Sequence, residues 1–210
     1  MNIAVFASGR GSNVEAILNA IQRGTLPARV VVLVSNKSGA GAMELARARG
    51  IPAVHLSQQQ FPGEEEYVER LLSVLSEHRA DFIALAGYLK KIPSRVTERF
   101  RNRIVNIHPA LLPKFGGHGM YGIHVHEAVL KAGEKISGAT VHIVDEEYDR
   151  GAIVMQKAVN IAPGETPETL AARVLTIEHE LYPEALRAFA EGRVEINGRT
   201  AWIRPNTSQP

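Results

Sequence analysis

The chain has 210 residues, 45% of them hydrophobic and 22% charged, with a formal net charge of +2. That composition suits one sizeable core and argues against a polyanion partner, whose phosphates need clustered Lys and Arg. The absence of Cys removes disulfides, thiolate catalysis and Cys-ligated zinc together.

In chain order, Ile3 to Ala7 reads as a buried strand that runs into the glycine-rich turn "FASGRGSN". Val14, Ile17, Leu18 and Ile21 then mark one helical face, with Gly24 as its stop. A turn of this kind binds phosphate well, because the amino-terminal N–H groups of the helix lack partners and its dipole favours an anion. Gly9 and Gly11 allow close backbone approach, and Ser12 and Asn13 are expected to cap the helix. The dinucleotide fingerprint fails, since Val14 stands at its third glycine and the second strand, "RVVVLVS", is followed by Asn36 rather than an acid. The P-loop Gly-Lys-Ser/Thr is missing too. The bland alternative is an ordinary tight turn.

A helix through Met43 and Leu45 to Ala48 follows, then a short strand "AVHL", and a helical face at Val68, Leu71, Leu72 and Leu75. "DFIALAG" and "RIVNI" read as the fourth and fifth strands. Continuous apolar strands alternating with amphipathic helices predict an α/β fold: a Rossmann-like, mostly parallel twisted sheet in a single domain, with helices on both faces. Ligands of such sheets sit at the carboxyl ends of the strands.

The fifth strand finishes unusually, on Asn106 and His108 with Pro109 behind them. The two side chains share strand parity and leave on the same side. An amide can donate to an oxygen gaining negative charge, and an imidazole can move a proton or stabilise that charge. On spacing alone, loop-satisfying polar residues are the simpler reading. A carboxylate would complete the set by orienting the imidazole and raising its pKa. Asp145, Glu146, Glu147 and Asp149 all lie in one loop, and the turn at Asp149-Arg150-Gly151 mildly favours Asp149.

After Pro109 a glycine-rich loop, "KFGGHGMYG", leads to a helix near Val125 to Ala132. "GATVHIV" and "AIVMQKAVNI" are two later strands, expected to be partly antiparallel. A long helix carries Leu170, Val174, Ile177 and Leu181 on one side and is bent or ended by Pro183. Asn197-Gly198 suggests a closing hairpin. The expected domain covers 1–203, with 204–210 a disordered tail. His118, His124 and His126 cluster around the glycine loop, but without a His-Glu-x-x-His helix or Cys they read as surface or loop-closing residues, and no metal is expected. No stretch approaches the ~20 apolar residues of a membrane helix. The opening "MNIAVFASG" lacks a signal peptide's basic region and core. A soluble, cytoplasmic protein with no nucleic-acid or membrane partner is expected.

The ordered motifs "FASGRGSN", "VSNK", "LAGYLKKI", "NIHPALLPKF", "HEAVL", "GATVHIVDEEYDRGAIVMQ" and "ARVLTIEHELYP" resemble the phosphoribosylglycinamide formyltransferases, the folate-dependent formyltransferases of purine synthesis. The resemblance runs from Met1 to about Val194. It implies 10-formyltetrahydrofolate as formyl donor, glycinamide ribonucleotide as acceptor, and Asn106, His108 and Asp149 as the catalytic trio. By the same resemblance Gly11, Ser12 and Asn13 hold the substrate phosphate, and Glu178 binds its ribose. Leu89, Lys90, Lys91 and Ile92 wall the folate site, and His142 matches a further histidine near the centre, in support or in catalysis. A homodimer is compatible with the resemblance. The chain departs from it in a longer loop after Phe115, in Lys90 where Arg is frequent, and in Leu175 where relatives carry a polar group near the phosphate.

The chemistry implied is attack of the amine on the formyl carbon, with Asn106 and protonated His108 meeting the oxyanion and Asp149 holding His108. Two rivals remain at this stage. One keeps the fold and passes the formyl group to water or an aminoacyl-tRNA, but the resembling enzymes carry an added domain for which this chain is expected to have no room. The other is a non-catalytic sugar-phosphate-binding module.

Overall fold

The structure is a computed structural model, and it describes residues 1–205. The disorder expected for 204–210 lies outside the described residues from 206 onward. Arg204 itself is held by its N–H to the Arg193 carbonyl at 3.0 Å. The chain falls into two compact units, Met1–Asn106 and Ile107–Pro210.

The first unit is an all-parallel α/β layer. Its strands are β1 (Asn2–Phe6), β2 (Arg29–Ser35), β3 (Ala53–His55), β4 (Phe82–Leu85) and β5 (Ile104–His108), the last reaching the boundary. They stand in the order β3-β2-β1-β4-β5, and every pairing is parallel. The strands are buried on both faces; Ile3, Val5, Leu33, Ile83, Ile104 and Val105 have essentially no exposure. That is why they read as unbroken apolar runs rather than alternating ones. The helices are α1 (Ser12–Gln22), α2 (Gly41–Ala48), α3 (Glu64–Glu77) and the short α4 (Ser94–Arg99). Right-handed crossovers applied to this order put α1 and α2 on one face and α3 and α4 on the other. The order reverses between β1 and β4, which makes the carboxyl ends of those two strands the switch point where such sheets bind ligands.

The helical faces follow the apolar spacing. Val14, Ile17 and Leu18 of α1, and Val68, Leu71, Val74 and Leu75 of α3, are buried. Gly24 stops α1 as expected: it takes a φ of +73° and its N–H returns to the Ile21 carbonyl at 3.0 Å. Six-residue α4 was not legible, being too short to show a period.

The second unit contains α5 (Ile123–Lys131), β6 (Ile136–Ile143), β7 (Ile153–Asn160), α6 (Pro167–Ala190), β8 (Val194–Asn197) and β9 (Thr200–Ile203). Its strand order is β6-β7-β9-β8. β6/β7 and β8/β9 pair antiparallel, while β7/β9 is parallel, so the expected shift to antiparallel pairing is present. The closing hairpin turns on Gly198 and Arg199, since Asn197 pairs with Thr200.

Of the two alternatives expected at Pro183, a bend or an end of α6, the end is corrected here: the helix continues to Ala190. A proline inside a helix costs roughly 3 kcal/mol. Pro183 is buried, and Leu181, Tyr182, Ala185, Leu186 and Ala188 around it are too. Burial of that apolar face outweighs the lost hydrogen bond.

Candidate active site

The site is assembled at strand ends. In β5 all five positions are buried or half-buried, and His108 retains 3% of its exposure. Asn106 is half-buried two residues earlier, and strand geometry sends its side chain to the same side as His108. Pro109 stops the strand, and the next residues are pinned by Thr140 of β6. The Thr140 Oγ1 donates to the Ala110 carbonyl at 2.6 Å and accepts the Leu112 N–H at 3.1 Å. Gln156 of β7 donates to both Thr140 Oγ1 at 2.8 Å and the Leu112 carbonyl at 3.0 Å.

The imidazole of His108 is oriented by the glycine-rich loop. Its Nε2–H donates to the Phe115 carbonyl at 2.8 Å, which turns Nδ1 toward Asp149 Oδ2 at 3.7 Å. Asp149 is gripped from three directions. It accepts the Gly117 N–H at 2.8 Å, it has His142 Nε2 at 3.3 Å from its other oxygen, and it faces His108. His142 in turn donates its Nδ1–H to the Ile143 carbonyl at 2.8 Å. The β6/β7 register shifts between Val141 and His142, the kind of irregularity that re-aims a side chain.

Asp149 sits in the left-handed region at φ +54°, uncommon for a residue other than glycine although tolerated by Asp. Two residues on, a Cβ at Gly151 would overlap the Ile143 carbonyl oxygen, so only glycine lets this turn close. Among the four acids of the loop, geometry singles out Asp149. Asp145 accepts the Glu147 N–H, and Glu147 pairs with Arg199 at 2.6 Å.

Electrostatics divide the pair. Burial raises the Asp149 carboxyl, but His142, His108 and the Gly117 N–H together hold it below the ordinary carboxylate value. Burial pushes His108 below the ordinary histidine value, and Asp149 and the Phe115 carbonyl only partly oppose it. In the free protein this environment disfavours the cationic form of His108 that the chemistry calls for at the oxyanion. At 3.7 Å the carboxylate is beyond hydrogen-bond range, and desolvation wins.

Of the two alternatives expected for the histidines around the glycine loop, surface or loop-closing, the first fails for His126 of α5. It is 4% exposed rather than a surface histidine, with its pKa lowered by burial and by His108. Its Nδ1 has no hydrogen-bond partner among the described residues. His118 packs edge-on to Tyr148 with ring centroids 5.9 Å apart, and His124 contacts Glu127 at 3.1 Å. Among the described residues no group of three or more His, Asp or Glu side chains is arranged to hold a metal.

Glu178 lies on α6 in the buried stripe itself, at 8% exposure beside Val174 and Leu181, while Ile177, expected in that stripe, is half-buried. The spacing 170, 174, 178, 181 passes through Glu178, and a carboxylate in a buried stripe is the kind of exception that marks a function. Leu175 is half-buried on the same helix.

The phosphate-turn residues lie in the first unit. Gly11, not Ser12 or Asn13, is the N-cap of α1, with φ +93°, and no side chain caps the helix. A Cβ on Gly11 would stand 2.8 Å from the Ala42 Cα, so the turn is packed onto α2. The amino-terminal end of α1 thus lacks a side-chain cap, which suits an anion. Ser12 is half-buried and Asn13 buried. After β4, Leu89 is 46% exposed and Ile92 3%, with Lys90 and Lys91 exposed between them. Sequence reasoning missed Thr140, Gln156 and the two main-chain partners, Phe115 O and Gly117 N. A buried Thr in an apolar strand was the available signal for the first.

Residues 1–186 match the formyl transferase family. The chain is 47% identical over 92% of its length to the chloroplastic phosphoribosylglycinamide formyltransferase of Arabidopsis thaliana, of which it spans 66%. It is 34% identical to the phosphoribosylglycinamide formyltransferase of Escherichia coli, covering 97% of this chain and 93% of that one. Among solved structures, glycinamide ribonucleotide transformylase 1 from Symbiobacterium toebii superposes with a TM-score of 0.91 at 38% identity, over 98% of this chain and 94% of that chain.

Proposed function

The chain belongs to the formyl transferase family, and on that premise we propose that it moves the formyl group of 10-formyltetrahydrofolate to the primary amine of glycinamide ribonucleotide, a step of purine biosynthesis. The observation that carries the reading is the buried His108 held between the Phe115 carbonyl and Asp149, at the end of a strand that also presents Asn106.

The amine attacks the formyl carbon, forming a C–N bond and an oxyanion. Collapse breaks the bond from that carbon to the folate nitrogen, which takes up the proton the amine gives away. Asn106 supplies an amide donor to the oxyanion. The His108 Nε2–H, aimed at a carbonyl oxygen in the free protein, is a donor of the kind the oxyanion needs. As negative charge develops on the substrate, a proton on His108 becomes more favourable, and ionised Asp149 balances it. No covalent enzyme intermediate is required.

Gly11, Ser12 and Asn13 hold the substrate phosphate at the uncapped end of α1, and binding of that remote group positions the amine. Glu178 takes the ribose hydroxyls. Leu89, Lys90, Lys91 and Ile92 contact the folate; the exposed Leu89 side chain supports that role. We further propose that residues 1–203 act as one formyltransferase domain in the cytoplasm, with no metal or nucleic-acid partner and as a monomer or homodimer. The family match running through both units supports the first point. No helix among the described residues is long and apolar enough to cross a membrane.

The test is formyl transfer followed by absorbance, with and without glycinamide ribonucleotide, with His108→Ala as control. Tetrahydrofolate release that depends on the ribonucleotide and falls about a hundredfold or more in the variant is the expected result. Consumption regardless of the ribonucleotide identifies a hydrolase instead. Sugar-phosphate binding with no consumption leaves a binding module.

A further inference from the structure

Ser8, two residues after the end of β1, is 3% exposed and has no part in the chemistry above. Its contacts reach both neighbouring strand ends. The Ser8 N–H donates to the Gly87 carbonyl at 3.0 Å. Its hydroxyl accepts the Leu89 N–H at 3.0 Å and donates to Asn36 Oδ1 at 2.5 Å. One side chain therefore fastens the ends of β1, β2 and β4, at the switch point of the sheet.

The Leu89 bond matters most. Leu89 exposes 46% of its surface although a buried hydroxyl holds its amide. Gly87 takes φ +74° just before it, so the segment leaves β4 on a turn that has little inherent stiffness. Between Gly87 and Leu89, Tyr88 is anchored by an edge-on contact to Phe6, with centroids 5.3 Å apart. The segment's apolar side chain is thus presented outward on a main chain that is tied down. Three residues beyond Ser8, Gly11 begins the phosphate turn, packed on Ala42.

We infer that Ser8 is a positioning residue: its buried hydroxyl sets the Leu89–Ile92 wall relative to the phosphate turn and so fixes where the folate lies. This rests on the functional reading above. A merely structural serine would affect stability, or both substrates alike. A positioning serine acts on one substrate.

The experiment compares wild type with Ser8→Ala and Ser8→Thr, measuring KM for each substrate, kcat and the unfolding midpoint. Ser8→Ala should raise KM for 10-formyltetrahydrofolate roughly tenfold, the scale of one lost hydrogen bond to a main-chain donor. KM for the ribonucleotide should stay within about twofold, since the amino-terminal end of α1 is unchanged. Ser8→Thr, which keeps the hydroxyl, should restore the folate KM. If Ser8→Ala does not fold, Ser8→Cys carries the test with the same split at smaller size, because a thiol is the weaker acceptor. Equal rises in both KM values, or none, overturn the inference while wild-type turnover leaves the functional reading standing. If wild type transfers no formyl group, that reading fails, and calorimetric binding of 10-formyltetrahydrofolate decides about Ser8. Weaker binding by the variant sustains it; equal binding, or no binding by wild type, overturns it.

Discussion

Asp149→Asn separates charge from shape at the centre of the site. The amide is nearly the size of the carboxylate, and its one remaining carbonyl oxygen can still accept the Gly117 N–H, now 2.8 Å from Oδ2. The new NH2 group then faces His142 Nε2, at present 3.3 Å from Oδ1, and can donate to it. The loop stays tethered, and what disappears is the negative charge 3.7 Å from His108 Nδ1. Burial already pushes His108 down and Asp149 is the main influence holding it up, so the variant's His108 takes a proton still less readily. An opposite charge within ~4–6 Å favours the protonated imidazole by about 1.4–4 kcal/mol, which corresponds to a loss of roughly ten- to thousandfold in kcat. KM for glycinamide ribonucleotide should change by less than about twofold, because its phosphate is held elsewhere. Steady-state kinetics across pH is the assay, and the limb set by His108 should move to lower pH in the variant. Equal losses in kcat and ribonucleotide affinity, or an unaltered kcat, would refute the role given to this charge.

Two further outcomes follow from the same contacts. Thr140→Val keeps the shape but strands the buried Leu112 N–H and one donor of Gln156; stability should fall by about 1–3 kcal/mol, with a lower Tm by calorimetry, and an unchanged Tm would contradict the network described. Burial holds His108 and His126 below the ordinary histidine value, so the unfolded chain binds more protons than the folded one just below that value. Stability should therefore decline as pH drops below about 6.5, and His126→Gln should flatten the decline; Tm measured from pH 8 to 5 would reject this if it stayed level.

The parallel half of the fold was legible because both faces of its strands are buried, which writes them as runs such as "RVVVLVS". Where burial is not periodic the sequence misled. Pro183 read as a bend or an end of α6 with nothing to choose between them, because the packing of Leu186 and Ala188 beyond it is tertiary and leaves no local sign. The capping role expected of Ser12 and Asn13 passed to Gly11, whose left-handed backbone is set by contact with α2 rather than by its neighbours in sequence. At the site, parity placed Asn106 and His108, but not the protonation of His108, which depends on desolvation that no motif records. Among the four acids in one loop, composition could not choose, and the turn at Asp149 was only mild support. Only the turn closed by Gly151 brings one of them to the imidazole.

Both tethers on the reacting pair end on main-chain atoms, the Phe115 carbonyl and the Gly117 amide. These tethers still constrain the sequence around them: Gly117 takes φ +103°, and a Cβ on Gly116 would stand 2.5 Å from Leu112 Cδ2 and 3.0 Å from the Asp149 Cβ, so both positions call for glycine. Past Gly117 the packing relaxes, since a Cβ on Gly119 or Gly122 would meet nothing within 4 Å, and there the loop can lengthen while the chemistry beneath it stays in place.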